Sequence, residues 1–167
     1  ETFPCYASKK DRQLIEAERE RGALNIRTDC LVRVSGSDSD PEAVRLAQTN
    51  AERACMLAGK ALQRIGKDNR IPRPEFIQAD VSELSAPYPE GALLSNPPYG
   101  DRLGDEQDAI ALYEKMTSIP QDFHGWRLGF ITDKPAFADI FSRAGITLKQ
   151  RPLKSGNLDT CLYTYGV

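Results

Sequence analysis

The sequence predicts an α/β fold, an open and mostly parallel sheet finishing in a C-terminal antiparallel hairpin. Two observations carry this. Short apolar runs bounded by turn residues alternate with longer stretches whose apolar residues recur at helical spacing, the pattern of strand–helix crossovers. Near the end of the chain, two strand-like runs at about 146–151 and 158–165 are joined by Lys154-Ser155-Gly156-Asn157, whose Gly and Asn are turn formers.

The elements follow in order. From Ser8 to about Arg21 the chain is rich in Lys, Arg, Glu and Gln and stops at Gly22, which predicts an exposed helix with a thin apolar face of Leu14, Ile15 and Ala17. Cys30-Leu31-Val32-Arg33-Val34 predicts a short strand running into Gly36-Ser37-Asp38-Ser39-Asp40. Asp40 is a good N-cap, Pro41 suits the first helical position and Glu42 favours the positive helix end. Val44, Ala47, Ala51, Ala54, Cys55, Ala58 and Leu62 then predict a long helix over about 41–66. After Ile71-Pro72-Arg73-Pro74 comes a strand, Glu75–Ala79, ending at Asp80, and after Pro87, Pro89 and Gly91 another, Ala92–Ser95. A helix near 106–117 carries Ala109, Ile110, Tyr113 and Met116 on one face. Trp126–Ile131 is the next strand, and Phe137, Ile140, Phe141 and Ala144 line a helix closed by Gly145, before the hairpin.

With 167 residues the chain makes one domain with a respectable core. Apolar residues at 40% and charged residues at 28% fit a soluble globular protein. No apolar run approaches a membrane span and the start carries no signal-peptide pattern, so a cytoplasmic setting is expected. The net charge of −2, from 22 Lys+Arg against 24 Asp+Glu, is not that of a domain gripping nucleic acid alone. Cys5, Cys30, Cys55 and Cys161 lie far apart without C-x-x-C or a histidine at ligand spacing, which predicts reduced thiols and no metal site. His124, the single histidine, is expected at a loop-to-strand junction, with no nucleophile to pair with it. The chain has no G-x-x-x-x-G-K-[ST] and no G-x-G-x-x-G, which argues against a nucleotide triphosphatase and a dehydrogenase.

The chemistry concentrates at Asn96-Pro97-Pro98-Tyr99, directly after the apolar run Ala92-Leu93-Leu94. Pro97 pulls Asn96 out of helical geometry, and neither proline can donate to a ladder. The result is a rigid turn presenting the Asn96 side-chain oxygen and nearby carbonyls as fixed acceptors, beside the ring of Tyr99. Acceptors next to a stacking surface suit a planar base with an exocyclic –NH2. A plain proline turn closing a strand is the alternative. Open parallel sheets bind ligands beyond the carboxyl ends of their strands. Here those ends carry Asp38/Asp40, Asp80 and Asn96-Pro97-Pro98-Tyr99 in succession.

Together, Gly36-Ser37-Asp38-Ser39-Asp40-Pro41, Gln78-Ala79-Asp80-Val81 and Ser95-Asn96-Pro97-Pro98-Tyr99-Gly100 resemble class I S-adenosylmethionine-dependent methyltransferases that modify exocyclic amines. Leu94 to Leu103, with Thr49-Asn50-Ala51 upstream, narrows the likeness to the bacterial THUMP-containing large-subunit rRNA guanine-N2 methyltransferases of the NPPY type. The resemblance spans about residues 30–166. It implies a Rossmann-like sheet, S-adenosyl-L-methionine as cofactor, large-subunit rRNA as substrate and a companion THUMP-like RNA-binding domain. Asp38 would bind the cofactor's ribose hydroxyls, with Ser39 beside it, while Asp40 is left to helix capping. Asp80 would accept from the cofactor's adenine amine and the Val81 backbone would meet its ring. Asn96 and the Pro97 carbonyl would accept from the target –NH2, with Asn96 also facing the cofactor, and Tyr99 would stack on the target base. Solvated turn acids are the plain alternatives for Asp38 and Asp80. For Arg102, reach to a substrate phosphate competes with a salt bridge to Asp101 or Asp105.

Two departures from the family pattern stand out. The family's first strand and its glycine-rich loop have no counterpart in residues 1–29, where Gly22 is the only glycine. The chain is therefore expected to be a partial catalytic domain lacking that strand and any THUMP domain. Met56–Arg73 is also longer than the family's helix-to-strand connection. DNA adenine-N6 methylation fits the same turn, and a non-catalytic methyltransferase-like RNA-binding or scaffold domain is the reading from a different class.

Overall fold

A parallel strand pair organises the first unit of the chain, Glu1–Gln78, and a four-stranded sheet the second, Ala79–Val167. The computed structural model describes residues 8–29, 32–68, 71–97, 106–155 and 158–166.

In the first unit, α1 (Lys9–Leu24) starts where the Ser8 hydroxyl accepts from the Asp11 N–H at 3.1 Å. Its exposed face carries the pairs Arg19–Glu16 and Arg21–Glu18, each worth a few tenths of a kcal/mol at most, ~0.3–0.5 by surface measurements. The long helix α2 (Pro41–Arg64) starts as expected, with the Asp40 carboxylate accepting from the Glu42 N–H at 2.8 Å and proline in the first turn. Only Ala23, Val44 and Leu62 are buried among the described apolar residues of this unit. Polar ties supplement that thin core. Lys67 Nζ donates to the Leu24 carbonyl at 2.6 Å, and Gln48 Nε2 donates to the Phe76 carbonyl at 3.2 Å.

The strand expected at Cys30–Val34 is instead β1 (Ser35–Asp38), parallel to β2 (Glu75–Gln78) with Gly36 opposite Phe76 and Asp38 opposite Gln78. Cys30 and Leu31 lie outside the described residues, and Val32 and Val34 are exposed. Pairing, not β propensity, selects the strand. A Cβ on Gly36 would stand 2.9 Å from the Phe76 ring, so the bare glycine admits the aromatic across the ladder.

In the second unit, a single 3-10 turn (Val81–Glu83) precedes β3 (Ala92–Ser95), α3 (Glu106–Met116), the short α4 (Ile119–Asp122), β4 (Arg127–Thr132), α5 (Ala136–Arg143), β5 (Lys149–Ser155) and β6 (Leu158–Tyr165). The strand order is β3-β4-β6-β5, with β3 parallel to β4 and β6 antiparallel to both its neighbours. This is the predicted mixture of parallel strands and a C-terminal hairpin. β5 begins three residues later than expected and runs on through Ser155; the expected turn residues Gly156 and Asn157 lie outside the described set. Pro152 is tolerated because β5 is an edge strand. Gly145, at φ +78°, ends α5 in the left-handed conformation. Phe137 centres the core, with Tyr113, Phe130, Phe141 and Tyr163 ring centroids 4.6–5.4 Å away. Such ring pairs add about 0.5–1.5 kcal/mol each beyond area burial.

Candidate active site

β3 and β4 run in the same direction and in register, Ala92 opposite Arg127 and Ser95 opposite Phe130, so both release the chain at the same edge of the sheet. Their register is fixed upstream. Trp126 Nε1 donates to the Tyr88 carbonyl at 2.8 Å, and the Arg127 N–H donates to the Gly91 carbonyl at 3.0 Å. Along β3, Leu93 packs on the core while Leu94 is 71% exposed. Asn96 is the first residue beyond the strand and is exposed; Pro97 behind it is buried. The proline confines the backbone of Asn96 to extended geometry. Pro98 and Tyr99, with the stretch to Asp105 that holds Arg102, lie outside the described residues.

Asp80 and Val81 belong to the same unit as Asn96 and Pro97. Asp80 caps the 3-10 turn, its Oδ1 accepting from the Ser82 N–H at 2.9 Å and from the Ser82 hydroxyl at 2.6 Å. The Ser82 hydroxyl, then its N–H, with a smaller pull from Lys115, hold the carboxyl below the usual range. Asp80 is therefore an ionised acceptor, and only Oδ1 is used by the cap. Val81 packs against the hydrophobic core and fixes the turn to the sheet.

Asp38 and Ser39 stand in the first unit, at the end of β1. The exposed Asp38 accepts from the Asp40 N–H at 2.9 Å through Oδ1, while the Ser39 carbonyl accepts from Gln78 Nε2 at 3.2 Å, which ties the two strand ends together. Asp40 is a cap, as expected. A groove of about 900 Å³ follows α2, lined by Arg53, Met56, Lys60 and Arg73 among others, and no predicted site residue lines it.

One residue at this edge escaped the sequence reading. Asp133 is the first residue beyond β4, and its Oδ1 is buried with no hydrogen-bond partner among the described residues. It obeys the rule that singled out Asp38 and Asp80, an acid ending an apolar strand. Among the described residues no group of three or more His, Cys, Asp or Glu could hold a metal ion, and no helix is long and apolar enough to cross a membrane. Cys55 and Cys161 are free thiols.

The protein family described as "RMKL-like, methyltransferase domain" matches residues 5–164. The ribosomal RNA large subunit methyltransferase K/L of Shewanella amazonensis is 31% identical over 156 residues, covering 92% of this chain and 20% of that protein. Its namesake from Legionella pneumophila strain Lens is 30% identical over 166 residues, 93% of this chain and 21% of that protein. The chain thus spans about a fifth of the length of these curated relatives. Among solved structures, SMU.472, crystallised in complex with SAH, superposes with a TM-score of 0.62 at 25% identity, covering 92% of this chain and 36% of that one.

Proposed function

This chain belongs to the family of RMKL-like methyltransferase domains, and on that premise we propose that it methylates guanine N2 in large-subunit rRNA, with S-adenosyl-L-methionine as methyl donor. The observation that carries the reading is the exposed Asn96 amide, set on buried Pro97 at the end of β3. The names of the relatives support rRNA as the substrate class, and the SAH complex of SMU.472 supports the cofactor. The net charge of −2 supports a companion RNA-binding domain of the THUMP kind, and a cytoplasmic setting accords with such a substrate.

The acceptors suit the cofactor. Asp38 and Asp80 each commit Oδ1 to a local N–H, leaving Oδ2 for a ribose hydroxyl and for the adenine amine respectively. The Val81 backbone would meet the adenine ring, and Ser39 would stand beside the ribose. When bound, the cofactor would supply an electrophilic methyl on a sulfonium, whose sulfur would keep the bonding electron pair, and N2 would give up one proton to solvent. An aromatic amine is a poor nucleophile because its lone pair is delocalised into the ring. Asn96 Oδ1 and the Pro97 carbonyl, accepting from both amine hydrogens, favour a pyramidal nitrogen with its lone pair turned toward the methyl. Tyr99 would stack on the base. Positioning and electrostatics then carry the reaction without a strong general base.

The test is transfer of labelled methyl to large-subunit rRNA fragments and to DNA by the protein expressed from the full reading frame around these residues. Labelled N2-methylguanosine in the RNA digest supports the reading. Label on DNA adenine alone would move the assignment to adenine N6, and no transfer would favour a non-catalytic domain.

A further inference from the structure

We propose that Asp133 selects the target base, its carboxylate accepting from N1–H of a flipped guanine while Asn96 accepts from the neighbouring N2 amine. The inference rests on the methylation reading above and deepens it. Asp133 and Asn96 are each the first residue beyond adjacent parallel strands, and β4 continues two residues past the level at which Ser95 faces Phe130. Strand spacing therefore sets their α-carbons on the order of 8 Å apart, within side-chain reach of one purine edge.

Asp133 Oδ1 is buried without a hydrogen-bond partner among the described residues. A buried acceptor left unpaired costs about 1–3 kcal/mol, so it calls for a reason. Because the residue is only half-buried, its second oxygen, Oδ2, is the one a base can meet. Local roles do not supply one. α5 begins behind Pro135 with no side-chain cap, and Asp133 joins none of the ion pairs among the described residues. The site is also held in place: the Thr132 hydroxyl, itself buried, accepts from the Lys134 N–H at 3.2 Å, bracketing Asp133.

The ligand follows from the chemistry of the acceptor. A carboxylate accepts and does not donate. Guanine presents N1–H beside its N2 amine, two donors side by side. Adenine presents an unprotonated N1 beside its N6 amine, so a carboxylate there would face a lone pair. Asn96 suits either amine; Asp133 accepts only guanine.

The experiment compares RNA carrying guanine at the modified position with RNA carrying 2-aminopurine, which keeps the amine but has an unprotonated N1. Both kcat/KM values are measured for wild type and Asp133→Asn, expressed from the full reading frame. Wild type is expected to favour guanine by about 10- to 100-fold, the range of a hydrogen bond to a charged group. Asp133→Asn should bring the ratio to near unity or invert it, because its amide can donate to N1 of 2-aminopurine. A change in stability alone would scale both rates and leave the ratio fixed. An unchanged ratio in the variant, with methyl transfer intact, overturns the proposal but not the methylation reading. Should the variant fail to fold, equal wild-type rates on both RNAs overturn it, and a guanine preference supports it. Absence of transfer to any RNA by wild type overturns both readings together.

Discussion

The indole of Trp126 occupies the space a side chain on Gly91 would need: a Cβ there would stand 2.7 Å from the ring. The same tryptophan is held by its hydrogen bond to Tyr88, and Gly91 accepts from Arg127, so this contact sets β3 against β4 at their entry end, one strand length from Asn96 and Asp133. Gly91→Ala should destabilise the protein by about 1–3 kcal/mol, the usual cost of overpacking. The check is a lower urea midpoint at unchanged slope. Gly22→Ala is the control, since nothing lies within 4 Å of its added methyl on α1; it should raise stability by roughly 0.5–1 kcal/mol. Equal midpoints for the two variants would contradict the clamp.

Asn96→Ala should leave folding almost unchanged, because the side chain is exposed, while lowering kcat by about 10²–10³, the usual effect of removing one preorganised electrostatic contact. Tyr99→Ala should weaken RNA binding by about 1–3 kcal/mol, the worth of one base–aromatic stack, with little effect on cofactor affinity. Wild-type turnover in the first variant, or equal losses of RNA and cofactor binding in the second, would remove those assignments.

Asp80→Asn separates capping from cofactor binding. The amide oxygen can still accept from Ser82, through weaker uncharged hydrogen bonds, so the melting temperature should fall only slightly. The –NH2 that replaces Oδ2 would meet the adenine amine donor to donor, and affinity for S-adenosylhomocysteine should fall at least about tenfold. Calorimetric titration reads this directly; undiminished affinity would return Asp80 to a purely structural role.

Burial, then the neighbouring Cys161 thiol, push the Tyr163 phenol up to about 12 from an ordinary value of 10.0. Between those values the folded chain keeps a proton that the unfolded chain releases, so stability is full below pH 10 and falls as pH rises toward 12. Tyr163→Phe should remove that part of the alkaline loss. Urea midpoints of the two proteins compared at pH 9 and above pH 11 provide the check, and parallel decline would refute it.

Much of this was legible in the residues. The helix beginning at Asp40-Pro41 follows from capping chemistry, and β3 from a short apolar run stopped by proline, both local signals. β1 was misplaced because its register is dictated by β2, about forty residues away, rather than by its own apolar content. The short α4 and the 3-10 turn carry too few residues to show a period. Asp133 carries the same sequence signal as Asp38 and Asp80, an acid ending a strand; what sets it apart, a buried oxygen with no partner among the described residues, exists only once the second unit has packed.

β6, the strand nearest the end of the chain, lies inside its sheet, between β4 and β5. During synthesis, then, β4 must wait for residues as late as Tyr165 before its second edge is covered. Translation at about 5–20 residues per second leaves that edge open in the nascent chain, a template for wrong pairings. The sheet that carries Asn96 and Asp133 is thus completed late, and a ribosome stalled before residue 158 would hold it half-built.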